Sequence, residues 1–166
     1  MAVAVCLLDG MEAQQQTKEG SGALKRYSFS SDGFAISSPQ PPKLTSLKDS
    51  TEYGLYWNES THVVIYLSVS RGPVDCTAWN AWAKSLNGNA TRVTTVEGNP
   101  ALETYAPRNG LQEGYELQQC IDGKVYHFGS GWPKGEPKPP IIDEVVKSFH
   151  GFHVLHPLKR QPGDGK

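Results

Sequence analysis

Apolar and polar residues alternate along much of this chain, and that spacing predicts strands. The clearest instance is residues 27–39, where two alternating runs flank Ser31-Asp32-Gly33. Alternation with a period of two puts successive side chains on opposite faces of a strand, and Asp-Gly supplies the positive φ that a tight hairpin needs. This stretch therefore predicts an opening β-hairpin and an ordered domain that begins near Leu24.

The same alternation recurs downstream in further hairpins. Asp122-Gly123, between two alternating runs, is the strongest short hairpin signal in the chain. A two-residue turn there places Leu117 opposite Phe128. The strands on either side of this turn are residues 114–121 and 124–130. The other predicted strands are residues 53–57, 62–70 and 92–105, and a turn at 97–100 interrupts the last of them.

Two segments change to the period of a helix. In residues 73–87 and 139–151, apolar residues recur at i, i+3, i+4 and i+7, which places them on one helical stripe. We expect both stripes to pack in the core. The stripes are Trp79, Trp82, Ala83 and Leu86 in the first helix, and Ile142, Val145, Val146 and Phe149 in the second.

Together these elements predict one fold class. Hairpin connections make antiparallel pairs, and amphipathic helices must cover the faces of a sheet. The predicted fold is α+β, with an antiparallel sheet of about six to seven strands flanked by two main helices as an α/β/α sandwich.

Composition divides the chain into three parts. Residues 24–156 are predicted to form a single domain, and residues 157–166, rich in Gly and Pro, a flexible tail. Residues 1–23 are predicted to be the remnant of a leader or a disordered linker, because an apolar run precedes glutamines and a Gly/Ser-rich stretch. The apolar run is similar to a signal peptide without its basic start. We therefore expect export to the periplasm, the envelope or the medium; a cytoplasmic location is the alternative.

Charge and hydropathy exclude some partners. The net charge is −1, from 16 Lys and Arg against 17 Asp and Glu, and neither sign forms a long run. Such a balance argues against binding to nucleic acid or to an anionic membrane surface. No run approaches the roughly 20 apolar residues of a membrane-spanning helix, so no transmembrane segment is expected.

Several short motifs, taken in order, resemble the PsbP-like superfamily, with its Mog-type relatives and bacterial envelope members. They are DGFAIS at residues 32–37 followed by Pro39, VEGNPA at residues 96–101, and the closing helix at 141–149 followed by a short strand. The resemblance covers about residues 24–155. It implies a protein-binding or accessory module and carries over no catalytic residue. The tryptophan-rich first helix and the histidine-rich C-terminus depart from typical relatives.

The three cysteines have no metal-binding spacing. In an exported chain Cys76 and Cys120 are candidates for a disulfide that closes a long loop. Two free cysteines, each packed as a small apolar side chain, are the alternative.

Histidines at positions 150, 153 and 156 are weak candidates for a metal site, since imidazole binds Zn²⁺ and Cu²⁺. Gly151 is expected to end the helix after His150, and on a strand His153 and His156 point to opposite sides. We therefore predict solvated or helix-capping histidines, no metal site and no cofactor. The chain also lacks a nucleophile elbow and a phosphate-binding loop.

Aromatic residues are the stronger functional candidates. Trp132 falls in a Gly- and Pro-rich stretch that predicts a loop, where a large ring is harder to explain as core. Trp57 adjoins a predicted hairpin loop, and Tyr66 lies on the mixed face of its strand. We expect Trp132, Trp57 and Tyr66 to bind a protein partner, which the sequence does not identify.

The function predicted from these features is an exported, non-catalytic accessory or protein-binding module. One alternative is a cytoplasmic chaperone or transport cofactor of the same fold. Another is a small hydrolase or metal-dependent enzyme that uses the C-terminal histidines.

Overall fold

The computed structural model describes residues 24–86, 91–108 and 111–151, and within them the chain forms ten strands and two helices. The strands belong to two sheets, and the two helices lie on opposite faces of the larger sheet. In chain order the elements are β1 (Lys25–Phe29), β2 (Phe34–Ser38), β3 (Lys43–Ser46), β4 (Ser50–Asn58), β5 (Val63–Ser70), α1 (Cys76–Ser85), β6 (Thr91–Val96), β7 (Asn99–Arg108), β8 (Gln112–Ile121), β9 (Lys124–Pro133), α2 (Pro140–Lys147) and β10 (His150–Gly151).

The larger sheet has seven strands in the order β3-β4-β5-β9-β8-β7-β6, and every neighbouring pair is antiparallel. This confirms the predicted fold class. At the β8–β9 turn, Asp122 and Gly123 have φ values of 51° and 75°, as a type I′ turn requires. The predicted register is also confirmed, because Leu117 pairs with Phe128.

The opening hairpin does not join the larger sheet. Strands β1 and β2 form a separate three-stranded sheet with β10, in the order β1-β2-β10. Phe34 and Ile36 of this small sheet are fully buried. The sequence predicted a single sheet, whereas the structure has this second, three-stranded sheet beside the seven-stranded one.

One face of the seven-stranded sheet, which we call the inner face, carries the core. The small sheet and α2 cover it, and Ile142 and Val145 of α2 are fully buried there. Along each strand the inner-face residues alternate with residues of the opposite, outer face. The largest inner-face side chains are Tyr53, Leu55, Ile65, Leu67, Tyr115, Leu117, Tyr126, Phe128 and Trp132.

Helix α1 lies on the outer face, over β7 and β8. A disulfide joins Cys76, the first residue of α1, to Cys120 on β8, with 5.3 Å between the two Cα atoms. Asp75 caps the helix, since its Oδ1 accepts hydrogen bonds from the backbone N–H groups of Thr77 and Ala78 at 2.9 and 3.2 Å. The start of α1 is thus held both covalently and by a side-chain cap.

The predicted burial of the first helical stripe is wrong for two of its four residues. Ala83 is buried, but Trp82 is 49% exposed and Leu86 is 40% exposed. The helix meets the sheet through a small residue and a disulfide, so only a narrow part of its surface is covered. The larger apolar side chains extend beyond that contact.

Three expectations concern residues outside the ranges that the structure describes. The predicted closing strand after Gly151 lies outside the described residues, as do the predicted leader and tail. Within the described residues, neither helix has the length and apolar content to span a bilayer.

Candidate functional site

Trp132 lies in strand β9, and the prediction that placed it in a loop is wrong. It pairs with Glu113 of β8 and is only 4% exposed. Its indole Nε1 donates a hydrogen bond to the backbone oxygen of Glu136 at 2.9 Å. The glycines and proline around it are compatible with a ladder that continues to the last residue of the strand. Trp132 therefore closes one end of the core, and its ring has little surface to offer a partner.

Trp57 has the exposure that Trp132 lacks. Strict alternation from Tyr53 and Leu55 would put Trp57 on the inner face, but the register of β4 against β5 shifts between Gly54 and Tyr56. After this β-bulge, Trp57 pairs with Val64, a residue of the outer face. The Trp57 side chain is 51% exposed as a result.

Tyr66 lies on the same outer face, two residues after Val64 along β5. It pairs with Gly129 of β9, and a Cβ atom built on Gly129 would lie 2.1 Å from the Cζ atom of the Tyr66 ring. The ring therefore lies directly over the backbone of Gly129, where only glycine leaves room for it. This close approach holds the tyrosine flat against the sheet.

Trp57, Val64 and Tyr66 together form what we call the outer patch. It lies on the part of the outer face that β4 and β5 form, whereas α1 covers the part that β7 and β8 form. Gly131, the partner of Val64 on β9, carries no side chain that would interrupt the patch. The structure thus brings two of the three aromatic candidates together and places the third, Trp132, on the opposite face.

Polar groups lie beside the outer patch on the same face. The His127 ring centroid is 6.0 Å from that of Tyr66, and His127 Nε2 lies 3.4 Å from Glu116 Oε2. An apolar centre bordered by polar side chains is the usual composition of a protein-binding surface.

A second exposed tryptophan on this side of the molecule was missed as a functional candidate. Trp82 of α1 is half exposed, and its ring centroid is 6.1 Å from that of Trp79. The sequence signal was present in the two tryptophans of one helical turn, but the helical spacing is also that of a buried stripe. The periodicity alone does not distinguish the two arrangements.

The candidate metal-binding histidines divide between described and undescribed residues. His150 lies in β10, and its Nδ1 is 2.6 Å from Glu97 Oε1, while the backbone N–H of Gly151 donates to Glu97 Oε2 at 3.2 Å. Glu97 thus connects β10 to the β6–β7 turn. His153 and His156 lie outside the described residues. Among the residues that are described, no three His, Cys, Asp or Glu side chains are grouped as metal ligands.

Comparison with known proteins gives a likeness of fold. No protein-family model and no curated protein matches the chain. Among solved structures, the solution structure of cyanobacterial PsbP (CyanoP) from Synechocystis sp. PCC 6803 matches with a TM-score of 0.51 and 14% sequence identity, over 82% of this chain and 97% of that chain.

A crystal structure of a protein from Bacteroides thetaiotaomicron VPI-5482 also matches, with a TM-score of 0.50 and 9% identity, over 73% of this chain. This chain spans 46% of the length of that protein. At these identities the likeness concerns the fold alone, and the fold is PsbP-like. Neither match concerns Mog-type proteins, so that part of the resemblance stays an expectation.

Proposed function

We propose that this chain is an exported, non-catalytic accessory module that binds a protein partner through the outer patch. The observation that carries the proposal is the half-exposed ring of Trp57 beside Tyr66 on a continuous sheet. Tryptophan and tyrosine dominate the energetics of protein interfaces, where large rings bury much area with few rotatable bonds. A rigid strand presents them without a further cost of ordering.

The disulfide supports export. Cys76 and Cys120 are joined in the structure, and structural disulfides form and persist mainly in oxidising compartments. A cytoplasmic chaperone or transport cofactor of this fold would keep the two thiols reduced. The oxidation state in cells therefore separates the proposal from that alternative.

The PsbP-like fold supports an accessory role. The sequence motifs resemble a superfamily of protein-binding or accessory modules, and the cyanobacterial PsbP structure shares the fold over most of both chains. Within the described residues, the outer patch offers apolar and aromatic contact area, and its neighbours His127 and Glu116 are paired with each other. This composition suits recognition of a surface.

Site-specific photo-crosslinking in the source cells tests the proposal. A benzophenone amino acid, which keeps a large aromatic ring where it replaces tryptophan, is placed at position 57 in the full chain. The control carries it at position 144, because Glu144 is exposed on α2 at the opposite face of the sheet. We expect a discrete heavier adduct from position 57 and none from position 144. The adduct should disappear when unlabelled wild-type chain competes, and persist when a Trp57→Ser chain is the competitor.

Two results would contradict the proposal. Equal adducts from positions 57 and 144 would indicate random encounter, and the absence of an adduct from position 57 would leave the outer patch without a partner. Far-UV circular dichroism of each labelled chain shows whether it is folded before the comparison is made.

A further inference from the structure

A polar cleft of about 600 Å³ lies on the inner-face side of the molecule, away from the outer patch. It opens where the β1–β2 turn approaches the β3–β4 edge of the seven-stranded sheet. Strand β3 extends past the small sheet, so its inner side is not covered, and Leu44 is 45% exposed there. Five hydroxyl-bearing residues line the cleft, namely Ser31, Ser46, Thr51, Tyr53 and Ser70.

Arg71 contributes the first positive charge of the cleft. Its Nη2 donates a hydrogen bond to the neutral hydroxyl of Ser46. Among the described residues no carboxylate forms an ion pair with Arg71. A guanidinium has five donors in a planar fork that matches a carboxylate or a phosphate. Most of these donors remain available at the mouth of the cleft.

Lys124 contributes the second positive charge. Its Nζ lies 3.1 Å from Asp32 Oδ1 and donates to the backbone oxygen of Ser31 at 2.8 Å. The other carboxylate oxygen of Asp32 accepts a hydrogen bond from Tyr53. The carboxylate is thus already used on both oxygens. Two cations against this one carboxylate leave the cleft with an excess of positive charge.

We propose that this cleft is a binding site for a small organic anion that carries a carboxylate or a phosphate monoester. The anionic group pairs with the fork of Arg71, and the hydroxyls of Ser46 and Thr51 contact its oxygens or the polar part of the ligand. Leu44 supplies an apolar contact. The volume suits a small molecule, since ligand pockets occupy roughly 300–1,000 Å³. The site is separate from the outer patch, so it stands or falls independently of the proposed protein-binding role.

Titration of the full-length, ¹⁵N-labelled chain tests the site. Inorganic phosphate and succinate are added in separate experiments at constant ionic strength maintained with chloride, and amide shifts and the Arg71 side-chain Nε–H signal are followed. We expect saturable shifts confined to the residues of the cleft with at least one of the two probes. The probe that binds more tightly identifies the anionic group.

Matched variants complete the test. Arg71→Gln removes a charge from the cleft, whereas Lys84→Gln removes the same charge from an exposed position in the last turn of α1. We expect Arg71→Gln to weaken binding about tenfold or more, because a charge-assisted pair contributes more than a neutral one, and Lys84→Gln to leave it unchanged. Unsaturable shifts spread over all basic residues, equal effects of the two variants, or no shift with either probe would overturn the proposal.

Discussion

Tyr53 places a phenol in the interior beside a carboxylate. The residue is fully buried, and its hydroxyl donates to Asp32. Burial, followed by this hydrogen bond and the negative charge of Asp32, raises the pKa of Tyr53 well above its ordinary value. Burial and the charge of Asp32 raise the pKa of Tyr126 in the same direction. Both phenols therefore remain protonated in the folded state where an unfolded chain would release their protons.

The linkage between these protons and folding gives a pH dependence. Because the pKa of each phenol is higher in the folded than in the unfolded chain, its contribution to the free energy of unfolding is fully present below about pH 10, the ordinary phenol value. It is lost progressively as the pH rises above that value. We expect Tyr53→Phe to lower the free energy of unfolding at pH 7 by about 1–2 kcal/mol, since Asp32 loses a buried donor. Chemical denaturation measures this loss.

The same variant tests the titration itself. With one fewer phenol held neutral, the free energy of unfolding of Tyr53→Phe should fall less steeply above pH 10 than that of the wild type, by up to about 1.4 kcal/mol per pH unit. Denaturation curves at pH 9, 10 and 11 give the two slopes. Parallel slopes would show that Tyr53 is not held neutral by folding.

At the scale of the elements, the pairing of β4 and of β9 shows why Trp57 is exposed and why Trp132, which was predicted to lie in a loop, is buried. The bulge between Gly54 and Tyr56 turns Trp57 outward, and the uninterrupted β8–β9 ladder keeps Trp132 inside. We expect Trp57→Phe to change the free energy of unfolding by less than about 0.5 kcal/mol, as is usual at exposed positions. Trp132→Phe should cost about 1–3 kcal/mol, from lost packing and the lost hydrogen bond to Glu136.

Chemical denaturation of the two variants, followed by far-UV circular dichroism, compares these costs directly. The variants make the same substitution and differ only in position, so each is the control for the other. Equal losses, or a larger loss for Trp57→Phe, would show that the two rings are not distributed between the faces as described.

These elements also show what the sequence can predict. Asp122-Gly123 determines both a turn and the register that follows from it, so the β8–β9 hairpin was predictable. The bulge in β4 has no such local signal, because it arises from the pairing with β5. Strand β3 was not predicted, since its four residues are all exposed and become a strand only by pairing with β4.

The candidate site was predictable in part for the same reason. Trp57 and Tyr66 were identified from residue type, but their common face depends on the bulge. Trp132 was misplaced because glycine and proline on either side are typical of a loop, and only the partner strand shows that the ladder continues. The cleft at Arg71 joins residues of the seven-stranded sheet to the β1–β2 turn, and no local pattern brings Arg71, Lys124 and Ser46 together.

At the scale of the whole molecule, one covalent bond connects helix α1 to the seven-stranded sheet. The Cys76–Cys120 disulfide spans 44 positions and encloses α1, β6 and β7 with most of β8. These elements form one edge of the sheet and the helix that covers it. Apart from the disulfide, α1 contributes a single buried side chain, Ala83, to that contact. The position of α1 therefore depends strongly on the disulfide.

Removal of the disulfide should destabilise the protein by about 4 kcal/mol, the loop-closure value for this separation. The double variant Cys76→Ser/Cys120→Ser, compared with the wild type by chemical denaturation, measures the loss. Cys6→Ser is the matched control, because it removes a thiol and leaves the disulfide in place. A loss below about 1 kcal/mol would show that the disulfide does little to hold α1 against the sheet.

The oxidation state of Cys76 and Cys120 in cells tests whether the chain is exported. Cells that contain the full chain are quenched with acid, and free thiols are then labelled with a maleimide-polyethylene glycol before or after reduction. If the chain is exported, the labels per chain should rise by two after reduction, whether or not Cys6 is retained, because oxidising compartments preserve the disulfide. Equal labelling before and after reduction would mean that both thiols are free, which contradicts export and favours the cytoplasmic alternative. The double serine variant must lose the two-label difference, which shows that it comes from Cys76 and Cys120.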